Sequence, residues 1–265
     1  MSKTSKTTKT GAQKRLQGKN RIGTERESSL HRALKFRYAG PEGKTEIAAG
    51  GYVCDGISGS GEFIEVQTGS FGPLKQKIRE LAELGHIRII HPIIIRKDIE
   101  IFDAEGNLQY RRKSPHKGTE WDLFKALLYA PELPLVPNLI IELALVDIVE
   151  RRIQDGRGSW RRKGLSIADK VLETCHASLP LMSPEDYHRF IPFEAEEQFT
   201  ARELGKRARI KTDIAQKTLY VLTRINLVER AGKRGNAWVY TYKQEPPRLS
   251  PKTRAQKNRL SQAAL

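Results

Sequence analysis

The apolar positions change period several times along the chain, and each change marks an element. Leu30, Ala33, Leu34 and Tyr38 recur on one helical face, which predicts a helix starting near Glu27 or Ser28 and running to Tyr38. Gly40-Pro41 stops it. Short strands are expected over 45–49 and 51–55, followed by a Gly/Ser turn over 57–61. Residues 62–67 alternate, with Phe63, Glu65 and Gln67 on one face and Ile64 and Val66 on the other. A helix is expected from about Pro73, where proline suits a first turn, to Leu84, and Gly85 ends it. The β-branched run 86–95 reads as a buried strand. Segments 99–102 and 108–112 flank Asp103-Ala104-Glu105-Gly106-Asn107, which is hairpin chemistry.

Beyond that point the pattern predicts a helix over 118–130. The apolar run 139–148 fits a strand or a buried helix equally well by length. A basic loop over 157–164 carries Trp160-Arg161-Arg162-Lys163, and 166–175 reads as a helix capped by Ser166. Thr200 caps a short helix over 201–208. Thr212 starts a longer one with Ile214, Leu219, Leu222 and Ile225 on its apolar side. Strand-like 227–230 then leads through Gly232-Lys233-Arg234-Gly235-Asn236 into a strand over 238–242. No internal repeat is present.

Charge sharpens this division. The 265 residues carry 47 Lys and Arg against 31 Asp and Glu, a net +16. Twelve of those excess charges sit in two acid-free ends, residues 1–24 and 246–265. The ends are expected to be disordered basic tails, having little to bury. The expected organisation is therefore a tail over 1–27, a core over 28–115 and a second tail over 245–265. Between them, 116–195 either completes the core or forms a helical linker domain, and 196–244 is a small helix-turn-helix module.

Other classes drop out. The longest apolar run, 133–146, is broken by Pro134, Pro137 and Glu142, so no membrane partner is expected. The basic start has no apolar stretch behind it, unlike a secretory signal, and it lacks the apolar face of a transit peptide. Two cysteines, Cys54 and Cys175, make neither a disulfide framework nor a four-cysteine zinc site. An intracellular, cytoplasmic setting follows, with a nucleoid location left open. A strongly basic intracellular chain points to nucleic acid as partner.

The candidate chemistry is acidic. Asp55 closes one expected strand and Glu65 sits in the middle of the next, so the two carboxylates can converge on one hard cation. Mg²⁺ takes one or two carboxylates plus water and leaves room for a phosphate. Glu46 is a candidate third acid. Gln67 shares the face of Glu65, and Lys75 and Lys77 lie near the start of the next helix, where a phosphate would be welcome. Scattered acids on half-exposed strands are most often a solvated face, and for Asp55 alone that plain reading is the better one. Glu65 is different, because Phe63, Ile64 and Val66 surround it with apolar sequence. His31, His86, His91 and His116 show no metal-ligand spacing, and His91 reads as a satisfied core residue.

The series Asp55, then Glu65-Val66-Gln67, stands in helix–strand–strand–strand–helix–strand order, with Gly69-Ser70-Phe71 leading into the second helix. It resembles the PD-(D/E)xK superfamily of restriction-endonuclease-like nucleases over about residues 29–95. The resemblance implies a mixed sheet flanked by helices, α+β or α/β in class. It implies Mg²⁺ (or Mn²⁺) held by Asp55 and Glu65, with Glu46 as a further metal-binding or helper acid. Gln67 stands where the family's lysine is expected and would position the attacking water, and Lys75 or Lys77 would replace that lysine from the next helix. Cys54 also stands where proline is common. Gln67 leaves two expectations open: an active nuclease, or a non-catalytic DNA-binding regulator on the same fold.

The segment 198–243 resembles a winged helix-turn-helix. Its second helix offers Lys211, Thr212, Gln216 and Lys217 near its N-terminal end, the end with which recognition helices read bases. The expected wing adds Lys233 and Arg234. Trp160, Arg161 and Arg162 form either a backbone clamp with a stacking ring or a surface turn with a buried tryptophan. A basic RNA-binding protein is the weaker alternative, since no aromatic platform motif is present. A homodimer is left open.

Overall fold

The structure is a computed structural model that describes residues 27–243. The two expected basic tails lie almost wholly outside the described residues. Helix α1 (Ser29–Ala39) starts where Ser28 accepts the N–H of His31, and it ends at Gly40, whose φ of 74° only glycine adopts easily. Strands β1 (Lys44–Ala49), β2 (Tyr52–Ile57) and β3 (Phe63–Val66) form an antiparallel meander. A 3₁₀ turn over Gly72–Leu74 leads into α2 (Lys75–Leu84), which returns the chain to β4 (Ile87–Phe102), parallel to β3. β5 (Leu108–Lys113) folds back on the far half of β4. Next come α3 (Leu123–Leu127), β6 (Leu139–Gln154), parallel to β4, and β7 (Leu165–Leu181), antiparallel to β6. The sheet order is β1-β2-β3-β4-β6-β7, with β5 beside β4.

This is a mixed α+β architecture with one large sheet flanked by helices. α1 covers one face, where Leu30 and Leu34 pack on Ile64, Val66, Ile90 and Val146. α2 and α3 cover the other, burying Ile78, Leu81, Phe124 and Leu127 against Ile87, Ile89, Ile141 and Leu143. Each of these fully buried side chains contributes about 1.5–3 kcal/mol. The same core runs on into the C-terminal module through Phe190, Phe199, Leu219 and Leu222.

In that module, β8 (Phe199–Thr200), α4 (Ala201–Arg207), α5 (Thr212–Arg224), β9 (Val228–Arg234) and β10 (Ala237–Tyr242) follow in order, with a sheet β8-β10-β9. Thr200 and Glu203 cap α4 reciprocally, each side chain meeting the other's backbone N–H. Arg224 of α5 reaches Glu132, which Lys75 also contacts, and this ties the module to the main sheet.

Several expectations are corrected. Residues 166–175 form part of β7, not a helix. Its pairing with β6 shifts register at three places, so the two-residue period is broken and Ile167, Val171, Leu172 and Cys175 mimic a helical stripe. The strands expected over 86–95 and 99–102 are one, Ile87–Phe102, because a bulge between Ile94 and Arg96 carries the pairing across the polar Arg96-Lys97-Asp98. The helix expected over 118–130 shrinks to a 3₁₀ turn at Glu120–Asp122 plus α3. Residues 139–148 are strand, and 116–195 contribute β6 and β7 to the main sheet rather than forming a helical linker. The expected wing turn is strand up to Arg234, and only Gly235 and Asn236 form its tip. Among the described residues, no helix is long and apolar enough to cross a membrane.

Candidate active site and nucleic-acid interface

Asp55 and Glu65 meet where β2 and β3 part. The register pairs Gly56–Ile64 and Ile57–Phe63, continued one step, set Asp55 opposite Glu65. There the strands stop bonding backbone to backbone and use the two carboxylates instead. The Asp55 N–H donates to Glu65 Oε1 (3.2 Å), and the Val66 N–H donates to Asp55 Oδ2 (2.7 Å). Neither acid is a solvated surface group, since the Asp55 side chain is 23% exposed and that of Glu65 only 4%.

Each acid has a cation from a different helix. His31 of α1 places Nε2 3.2 Å from Asp55 Oδ2 and 2.8 Å from the Val66 carbonyl. Its Nδ1 meets Glu27. Lys77 of α2 sits on Glu65 Oε1 and also donates to the Val53 carbonyl (2.7 Å). The electrostatics follow from these contacts. Burial and the neighbouring Asp55 charge push the Glu65 carboxyl up to about 7, against the pull of Lys77. Asp55 is likewise penalised by burial, but the proton and charge of His31 outweigh this and hold its carboxyl below the usual range. Burial works against protonated His31, yet Asp55 and Glu27 raise it to about 9. Near neutral pH the site thus holds a protonated His31, an ionised Asp55 and a Glu65 poised to titrate beside Lys77.

The other expected site residues fall elsewhere. Glu46 is brought to Lys35 (3.3 Å) with its side chain 53% exposed, and it takes a left-handed backbone, φ 57°. Among the described residues, no three His, Cys, Asp or Glu side chains gather as a metal-ligand group, so Glu46 does not complete a set with Asp55 and Glu65. Gln67 lies just beyond β3, and its amide donates to the Ser70 carbonyl (2.6 Å). Lys75 pairs with Glu132 (3.3 Å) and not with the acid pair. His31 was missed by sequence reasoning because its partners lie on β2 and β3, and its spacing carries no signal. His91 is a satisfied core residue, as expected: its Nδ1 donates to the Gln67 carbonyl (2.6 Å).

The bonds above use Glu65 Oε1 and Asp55 Oδ2, which leaves Glu65 Oε2 and Asp55 Oδ1 outside them. Two carboxylates suffice for Mg²⁺ or Mn²⁺ when water and substrate phosphate complete the shell.

Residues 28–182, more than half of the chain, match the family described as Domain of unknown function (DUF8091). The chain belongs to the DUF8091 family. It is also similar to an uncharacterized protein of Treponema pallidum (strain Nichols), with 25% identity over 227 residues that cover 85% of this chain and 88% of that one. No solved structure matches it. The family span runs from the cap of α1 through β7, and so contains Asp55 and Glu65 together with His31 and Lys77.

On α5, Lys211, Thr212 and Gln216 are exposed, while Lys217 is held by Asp213 (3.0 Å). The Asp213 carboxyl is lowered, first by its hydrogen bond with Lys217, and α3 packs against α5. Arg234 pairs with Glu203 (2.8 Å), and the tryptophan Trp238 carries Arg230 and Lys233 over its ring at 4.4 and 4.7 Å. Arg230 and Trp238 were missed because only the β9–β10 pairing brings them together. Trp160 is 82% exposed at the β6–β7 turn with Arg161 over its ring, which excludes the buried-anchor alternative. Arg162 is turned back to the Leu165 carbonyl.

Proposed function

We propose that this protein is a metal-dependent DNA-cleaving enzyme of the restriction-endonuclease-like kind, with a C-terminal winged helix that delivers it to DNA. The observation that carries the reading is the paired Asp55 and Glu65 at the parting of β2 and β3, with Lys77 seated on Glu65. The element order α1-β1-β2-β3-α2-β4 and the parallel β3–β4 crossover support it. The lysine expected at Gln67 is supplied from α2 by Lys77, not Lys75.

Asp55 and Glu65 would hold Mg²⁺ or Mn²⁺ through the oxygens their hydrogen bonds leave over. Such an ion supplies Lewis acidity and a more acidic bound water. The chain's own residues do the rest. His31 keeps Asp55 ionised. Lys77 offsets charge on Glu65 and is placed to orient the attacking water and to stabilise charge growing on the phosphate oxygens. Gln67 fixes the turn at Ser70. The exposed Lys211, Thr212 and Gln216 supply contacts to bases and phosphates, and the Arg230–Trp238–Lys233 stack supplies contacts to the backbone.

The test is cleavage of supercoiled plasmid with Mg²⁺ or Mn²⁺ by wild type, Asp55→Ala and Glu65→Ala. Cutting that is lost in both variants supports the reading, and cutting that survives in Glu65→Ala overturns it. A second reading, a non-catalytic DNA-binding regulator, is favoured by one observation: His31 and Lys77 already neutralise both acids without a metal. That regulator would bind duplex DNA, cut nothing, and show no thermal shift with Mg²⁺ or Mn²⁺.

A further inference from the structure

Beyond the end of β3 lies a cleft of about 360 Å³ between the sheet and α3. Its walls differ in chemistry. Pro92, Ile93 and Ile94 of β4 and Ala126 of α3 contribute apolar lining, Ile93 and Ala126 from the α3 face of the sheet and Ile94 from the α1 face. Thr68, His116 and Lys125 make a polar rim. The turn 67–70 is held open by the Gln67 amide on the Ser70 carbonyl, and the N–H groups of Thr68 and Gly69 have no partner among the described residues. Nothing lies within 4 Å of where a Cβ on Gly69 would sit, so this stretch of backbone is open to a ligand. Lys125 is 47% exposed, and among the described residues its ion pair is with Asp122, which also lines the cleft, a contact an incoming anion can replace. Lys97, by contrast, is committed to the buried Glu150 (3.1 Å).

We propose that this cleft binds one nucleotide of the DNA strand next to the bond being cut. The phosphate rests on the free N–H groups of Thr68 and Gly69 and on Lys125 and His116. The base lies against the apolar lining that β4 and Ala126 supply. A hole for an anion alone would need neither this volume nor an apolar wall, and a purely apolar pocket would not present two free amides and a lysine. Position fits as well. Thr68 is three residues past Glu65, roughly 10 Å along an extended chain, which is within reach of an adjacent nucleotide. On the far side Lys125 belongs to α3, which packs against α5, so the cleft lies between the acid pair and the helix proposed to read DNA. The assignment rests on the nuclease reading above.

The experiment is calorimetric titration of the full chain in EDTA with thymidine 5′-monophosphate and, separately, with inorganic phosphate. Wild type, Lys125→Glu, Thr68→Trp and Asp55→Ala are compared. Both altered cleft side chains are exposed, so melting curves should match wild type. The expected result is that the nucleotide binds wild type and Asp55→Ala alike and binds each cleft variant at least about tenfold more weakly. No binding to wild type, or binding that neither cleft variant weakens, overturns the proposal. So does inorganic phosphate that binds as tightly as the nucleotide. Because chelator stops any cutting, plasmid cleavage is read separately. Cleft-dependent nucleotide binding without cleavage would sink the nuclease reading and the cleft's place beside a cut bond, leaving a nucleotide site, and cleavage without cleft-dependent binding would sink only the cleft.

Discussion

Lys77 of α2 and Glu65 of β3 are joined inside the protein, ammonium on carboxylate, with the Asp55 N–H sharing the same Glu65 oxygen. Two elements separated by a turn thus close one site. The pairing distinguishes Lys77 from Lys75, two residues away, whose partner is Glu132. Lys77→Ala is expected to lower plasmid cleavage by about a hundredfold, on the scale of losing one positioned electrostatic group. Lys75→Ala should keep activity within a few-fold. Initial rates of nicking at saturating Mn²⁺ check both.

The pH dependence of stability follows from Glu65 and His31. The Glu65 carboxyl is raised from 4.5 to about 7, so the unfolded chain releases that proton first and stability falls as pH rises from about 4.5 to about 7. His31 is raised from 6.5 to about 9, and its contribution is whole below 6.5 and lost as pH climbs to about 9. Asp55 runs the other way: its carboxyl is lowered, so its contribution is lost in acid. Tm measured from pH 5 to 9 should therefore decline. In Glu65→Gln the decline below pH 7 should disappear, and an unchanged slope there would refute the assignment.

Glu46 carries a left-handed backbone that costs an acid about 1–2 kcal/mol, and glycine avoids that cost. Its carboxylate is spent on Lys35, not on the acid pair. Glu46→Gly is expected to melt no lower than wild type by more than a degree or two and to cleave at a comparable rate. Loss of cleavage with an intact melting curve would restore Glu46 as a ligand.

DNA affinity should separate the contributions of α5 and the hairpin. Lys211→Ala and Arg230→Ala each remove an exposed cation, and each should reduce the slope of log affinity against log salt by about 1. Arg234→Ala breaks a pair with Glu203 and should change the slope less. Fluorescence anisotropy on a duplex at several salt concentrations distinguishes these.

Much of the local structure was legible. Thr200 announced a helix start because a side-chain oxygen beside an N–H works at short range. Gly40 and Gly85 announced stops for the same local reason. The alternation around Glu65 marked its strand and set Ile64 and Val66 against α1. Asp55 and Glu65 were legible as a pair because one hairpin separates them, and a hairpin fixes register.

What the sequence could not determine depends on partners distant in the chain. β7 looked helical because three bulges against β6 disguise its period, and only β6 supplies the hydrogen bonds that make it a strand. His31 carried no signal, since its two partners arrive on β2 and β3 only when α1 lies on the sheet. Lys77 and Lys75 were indistinguishable until α2 docked with one ammonium over Glu65 and the other over Glu132. Caps, turns and alternation are set by neighbours within a few residues, so the amino-acid order alone fixes them. Which charge meets which, how far each is buried and therefore how it titrates are set by the packing of helices on a sheet, and tertiary structure alone decides them.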